Sequence, residues 1–140
     1  MKLIPVYEHP GAANILWDIM AEVQPHQAIS HKAGTMPAWE DHLRFVYWDA
    51  PRLYEAWYLI DLEGVIIGWI QLTLRNEIGI RIANLHQGKG FGPEAIKRLM
   101  GKHGPRRWIA NINPANEPSR KMFGKLGFKH IQNTYALEAK

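Results

Sequence analysis

Apolar residues recur along this chain with two periods, and the switch between them marks out the elements. In "GAANILWDIMAEVQP" (11–25), Ile15, Leu16, Ile19, Met20 and Val23 fall on one helical face, and Pro25 ends the segment. "HQAISHKAGTMP" (26–37) is small and polar, a loop. A second helix is predicted over 37–48, with Pro37 suited to its first turn and Glu40 and Asp41 complementing the N-terminal end of its dipole. The period then drops to two. "AWYLID" (56–61) and "VIIGWIQLTL" (65–74) read as strands joined by a Glu63-Gly64 turn. "EIGIRIA" (77–83) sets Ile78, Ile80 and Ile82 on one face and Glu77, Gly79 and Arg81 on the other.

Ahead of these, "KLIPVYE" (2–8) is a short opening strand. After them come a helix over 91–103 stopped by Gly104-Pro105, a strand over 107–113, a helix over 116–126 ended by Gly127, and a final strand, or two short ones, over 128–138. The order β-αα-βββ-α-β-α-β predicts an α/β (α+β) fold with a mixed, mostly antiparallel sheet of about six strands. The helix crossing between 77–83 and 107–113 makes those two strands parallel neighbours.

Composition narrows the class. At 140 residues and 46% hydrophobic content, one domain over 1–140 with one core is expected. No run of eighteen apolar residues suggests a membrane span, and the N-terminal apolar stretch, broken by Pro5 and Pro10, is too short for a secretory signal. A cytoplasmic location is therefore the expectation. The chain has no cysteine, so no disulfide framework or thiolate chemistry is available. Its seven histidines include no His-Glu-x-x-His motif and no i, i+4 pair on one helix, so no metal is expected. No Gly-x-Ser-x-Gly elbow of a serine hydrolase is present. A net charge of +4 tolerates anionic ligands without selecting among them.

The bend "QGKGFG" (87–92) carries the candidate chemistry. Three glycines in five residues, ahead of a helix, allow close backbone approach, and the helix start adds free N–H groups and a positive dipole end. That combination suits a pyrophosphate, to which Lys89 could add charge. It is not a Walker A loop, which ends in Gly-Lys-Ser/Thr, nor a dinucleotide fingerprint, which follows the first strand of a βαβ unit. On spacing alone a simple strand-to-helix turn also fits.

"HQGKGFGPEAIKRLM" resembles the acyl-CoA-binding signature of the GNAT N-acetyltransferases, Gln/Arg-x-x-Gly-x-Gly/Ala, with Gln87, Gly90 and Gly92 at its fixed positions. "NINPANEPSRKMFGKLGFKHI" resembles that family's next strand, Asn-containing helix start and Lys-Leu-Gly-Phe helix end. The resemblance covers residues 56–138, and the first 55 fit the family's variable helix pair. It implies a GNAT fold with helices on both sheet faces and a splayed, parallel central pair of strands. It also implies acetyl-CoA as co-substrate. Backbone N–H groups of Gly88, Lys89, Gly90, Phe91 and Gly92 would hold the pyrophosphate beside Gln87. A backbone N–H at Arg81 or Ile82 would polarise the thioester carbonyl, and Asn116 and Ser119 match cofactor-contacting positions. Asn116 has a second job available as helix N-cap.

An amine must lose its proton before it attacks a thioester. Glu77 is the first candidate base, at a place some family members use, and a solvated strand-end carboxylate is its plainer role. His31, in the loop that borders the family's acceptor pocket, is the second. The tyrosine that often protonates the leaving thiolate is replaced here by Phe123, which reads as core. Water, Tyr135 or no acid at all would take its place. Ser30, His31, Lys32, Trp69, Gln71 and Arg75 are candidate acceptor contacts, along with Trp39, Glu40 and His42; Trp39 also suits a core position. Ser30-His31-Lys32 would suit an anionic acceptor such as a nucleotide-linked amino sugar. The expected activity is acetyl transfer to a primary amine of a small molecule, by direct attack in a ternary complex. Two alternatives keep the fold: a nucleobase-modifying enzyme of the phage Mom type, and a degenerate acyl-CoA-binding protein. A monomer fits, as does a homodimer paired through 128–138.

Overall fold

The computed structural model describes residues 1–22 and 36–139. Five strands form one sheet in the order β1-β2-β3-β4-β5. Strands β2 (Tyr54–Leu62) and β3 (Val65–Thr73) are an antiparallel hairpin. Its turn, Glu63-Gly64, has φ of 52° and 90°, the mirror-image geometry that follows the twist of the strands. β1 (Lys2–Pro5) pairs antiparallel with β2, and β4 (Glu77–Ile82) antiparallel with β3. β5 (Ile109–Ala110) is parallel to β4.

Each face of the sheet has its own core. Ile60, Ile70, Leu72 and Ile78 pack against Ala95, Ile96 and Leu99 of α4 (Phe91–His103) and Phe123 of α5 (Glu117–Lys125). On the opposite face Trp57 and Leu59 meet Val6, Ala12 and Leu16 of α1 (Ala12–Met20), and Val46 and Ala50.

The second helical segment runs beyond its expected end at 48. α2 (Trp39–Arg44) passes through a π turn, Phe45–Asp49, into α3 (Ala50–Leu53). The Ala50 N–H reaches the Phe45 carbonyl, one residue further than in an α-helix. In that widened pattern the Val46 carbonyl faces Pro51, which has no N–H, and the Tyr7 hydroxyl donates to it instead at 2.6 Å.

Several expectations are corrected. The first helix ends at Met20 rather than 25; Val23 and Pro25, with most of the expected loop 26–37, lie outside the described residues. The strand expected over 107–113 pairs only at Ile109–Ala110, because the chain there turns away from β4. Residues 128–138 form no strand, so the sheet has five strands rather than six, and the parallel pair lies at its edge rather than its centre. A two-residue β5 is too short an edge to template another strand, and Asn133 interrupts the apolar face that Ile131, Tyr135 and Leu137 would have made. Those three side chains are exposed.

Candidate active site

The sheet opens at its β4–β5 edge. Glu77 pairs with Ile109 and Ile78 with Ala110, after which β4 continues to Ile82 with no strand on that side among the described residues. Which backbone groups face that opening follows from alternation. The Ala83 N–H donates to the Ile67 carbonyl at 2.8 Å, so the odd-numbered N–H groups of β4, Arg81 included, point to β3. The N–H groups of Ile80 and Ile82 point into the opening. Of the two expected donors, Ile82 is on the open side and Arg81 is not; Ile80 joins it, and the alternation within "EIGIRI" was the signal that could have named it.

One 3-10 turn, Asn84–His86, joins β4 to the glycine bend. The Gln87 side chain ties the bend back, its Nε2 donating to the Ile82 carbonyl at 2.9 Å. Gly88 and Gly90 have φ of 73° and 83°, and among the described residues no atom beyond their chain neighbours lies within 4 Å of where a Cβ would stand on either. Their glycine identity is therefore required by backbone conformation, and the space over them is open. Gly90 caps α4 without any side-chain hydrogen bond, so the first N–H groups of the helix face outward beside an exposed Lys89. This is a cradle for an anion. Phe91 instead packs on the core, and Gly92 has a packing role: a Cβ there would meet the Met122 sulfur at 2.9 Å.

Glu77 stands where β4 and β5 part. Its Oε1 accepts from the Thr73 hydroxyl at 3.3 Å, its Oε2 from the Asn111 side-chain amide, and its N–H donates to Thr73 Oγ1 at 3.1 Å. The half-buried carboxylate is thus held from both sides of β4, and neither Thr73 nor Asn111 was singled out in the sequence. Gln71 sits opposite Gly79, and its amide lies in the space that a Cβ on Gly79 would fill. Arg81 lies opposite Trp69, its guanidinium carbon 5.8 Å from the indole centroid. Its Nη2 donates to the Glu22 carbonyl at 2.7 Å. Burial pushes the Arg81 guanidinium below its ordinary range, and the Glu22 carboxylate pushes it back up. Three buried polar atoms of this face have no partner among the described residues: Trp57 Nε1, Gln71 Oε1 and Arg81 Nε.

Other candidates are placed elsewhere. Arg75 is exposed on the β3–β4 turn, its N–H donating to Thr73 Oγ1 at 3.2 Å. Asn116 caps α5, accepting from the Ser119 N–H at 3.2 Å. His42 is buried, its Nε2 donating to the Ala13 carbonyl at 2.8 Å between Trp17 and Trp39, so His42 is core and Trp39 is a half-buried ring packed on it. Glu40 is exposed. Phe123 is buried against Phe128. Tyr135 is 89% exposed on the unpaired C-terminal segment. Ser30, His31 and Lys32 lie outside the described residues. Among the described residues no group of His, Asp or Glu is arranged to hold a metal ion, and no helix is long and apolar enough to cross a membrane.

A family model described as an acetyltransferase (GNAT) domain matches residues 6–129. No curated protein sequence matches the chain significantly. Solved structures do. A domain from Methanocaldococcus jannaschii is 21% identical, with 90% of this chain and 87% of that one aligned at a TM-score of 0.71. An aminoglycoside 6'-N-acetyltransferase from Acinetobacter haemolyticus is 13% identical over 100% of this chain and 99% of its own, with a TM-score of 0.70. A GNAT superfamily phosphinothricin acetyltransferase from Sinorhizobium meliloti, solved with acetyl-CoA, is 23% identical over 91% of this chain and 74% of its own, with a TM-score of 0.65. At such identities the likeness is one of fold.

Proposed function

This chain belongs to the GNAT acetyltransferase family, and from that premise we propose that it transfers the acetyl group of acetyl-CoA to a primary amine of a small molecule, by direct attack in a ternary complex. The observation that carries the reading is the opened β4–β5 edge leading to a glycine bend with clear space above it. The bend and the first turn of α4 suit the pyrophosphate, with Lys89 adding charge. The N–H groups of Ile80 and Ile82 suit the thioester carbonyl, whose oxygen gains negative charge as the amine attacks. The amine nitrogen bonds to the carbonyl carbon, the carbon–sulfur bond breaks, and coenzyme A leaves as thiolate. Glu77 takes the proton of the amine, directly or through one water. With Phe123 in place of a tyrosine, the thiolate draws its proton from solvent.

The structural neighbours support the donor and the class of acceptor: one was solved with acetyl-CoA, and another is named as an aminoglycoside 6'-N-acetyltransferase. The test is acetyl-CoA binding by calorimetry, followed by thiol release with a panel of primary amines. Saturable binding and amine-dependent thiol release are expected. A protein that does not bind acetyl-CoA would sink the reading.

A further inference from the structure

The helix-α1 side of this site holds a positive charge that no carboxylate pairs with directly among the described residues. Arg81 is half-buried, spends Nη2 on the neutral Glu22 carbonyl, and has no partner at Nε among the described residues. The ion pairs found among those residues involve Arg98, His103, Arg106 and Lys121, not Arg81. Glu22 acts on it only from beyond pairing distance, and its Oε1 is occupied by the Asn84 N–H at 2.8 Å. The segment 23–35, "VQPHQAISHKAGT", contains neither Asp nor Glu, so it brings no counter-charge either. A half-buried guanidinium whose direct contacts are a carbonyl and an indole, with its nearest carboxylate beyond pairing distance, is costly unless something anionic completes it.

Its neighbours on the same sheet face are incomplete in the same way. Gln71, beside Trp69 on β3, has an orphaned acceptor at Oε1, and Trp57, directly across from Gln71, has an orphaned donor at Nε1. Buried polar atoms of this kind ordinarily find a partner. At the far end of the same strand face is Glu77, the one carboxylate of the proposed machinery.

We propose that the acceptor is an amine carrying an anionic group, a carboxylate or a phosphate, which Arg81 binds while the amine is presented toward Glu77. Four strand positions separate the two residues, about 13 Å between Cα atoms, with the Gln71 amide between them. The amine and the anion therefore sit at opposite ends of the acceptor rather than on one carbon. A polycation, by contrast, would meet Arg81 with like charge. This inference rests on the transferase reading above.

The test compares matched acceptors by thiol release: 6-aminohexanoate and 3-aminopropyl phosphate against 6-aminohexanamide, hexylamine and spermidine. The native enzyme is expected to favour at least one anionic acceptor more than tenfold in kcat/KM, and the better of the two identifies the anion. In R81Q that preference should fall at least tenfold, and in R81K by less. Preference for spermidine or hexylamine overturns the proposal. So does an R81Q variant that loses all acceptors equally while its KM for acetyl-CoA rises, since Arg81 would then serve the donor. The native preference is measured without any variant, so a poorly folding R81Q does not protect the idea. Failure to bind acetyl-CoA would overturn the transferase reading and this one with it; binding and turnover without an anionic preference overturns this one alone.

Discussion

The two ends of β4 are built on different terms. At the Glu77 end nearly every polar group is satisfied within the chain. Thr73 and Asn111 hold the carboxylate, the Ile109 N–H reaches the Asn76 carbonyl at 2.9 Å, and Arg106 bridges Asn76 and Glu55. At the Arg81–Ile82 end the partner strand has gone, two backbone N–H groups face the opening, and the guanidinium keeps an orphaned Nε among the described residues, with the orphaned atoms of Gln71 and Trp57 midway along the strand. A closed end fixes a group that must stay in place; an open end is what a strand looks like when its missing partner is a ligand.

Replacing the fixed group gives the largest expected effect. Glu77→Gln preserves the shape of the clamp and removes the base. Its kcat should fall by about 100-fold or more, the range for losing a general base, with acetyl-CoA affinity nearly retained. Activity within threefold of the native enzyme would mean that water alone deprotonates the amine.

Disturbing the open end should instead act on the donor. Gly90 has φ of 83°, and a non-glycine residue there costs roughly 1–2 kcal/mol. Gly90→Ala should weaken acetyl-CoA binding about tenfold in calorimetry, the equivalent of that strain, and change kcat less. An unaltered affinity would remove the bend from the donor site. Asn111→Ala comes next. It frees one oxygen of Glu77 without touching its chemistry, so a several-fold drop in kcat with unchanged acetyl-CoA binding is expected. Equal losses in both would show that Asn111 supports the opening rather than the carboxylate.

The same contrast explains what was legible in the sequence. The hairpin, β4 and α4 were read within a residue or two, because their periods are clean and Glu63-Gly64 and Gly104 punctuate them. The bend was legible because positive φ leaves a glycine signature. The Glu77 clamp was not, since Thr73 and Asn111 meet it through a turn and across two strands, and no local spacing encodes that. The final strand misled for the opposite reason. Residues 128–138 have β-forming side chains, but a strand exists only with an edge to join, and β5 offers two residues. His42 was a polar candidate that burial assigns to the core, packed between the half-buried rings of Trp17 and Trp39.

The smallest effect tests whether charge keeps the closed end closed. Glu55 accepts from Arg106 Nη1 at 2.8 Å and pairs with His103 Nδ1 at 3.3 Å. His103 Nε2 in turn lies 2.9 Å from the Tyr58 hydroxyl. The Arg106 hydrogen bond holds the Glu55 carboxyl below its ordinary value of 4.5. A carboxylate whose pKa is lowered by folding stabilises the fold above its unfolded pKa and loses that contribution as pH falls through the folded value. Because the group is exposed, the contribution is small. Glu55→Gln should therefore lower the melting temperature by only a degree or two at pH 7, and the gap to the native protein should close as the pH falls below 4.5. Activity at pH 7 should hardly move, because Asn76 and Ile109 still join β4 to β5 by backbone. A gap that persists however far the pH is lowered would mean the corner is held by shape and hydrogen bonding to neutral groups. A loss of activity larger than the loss of stability would mean that the clamp on Glu77 depends on the corner behind it, making the closed end one unit rather than two.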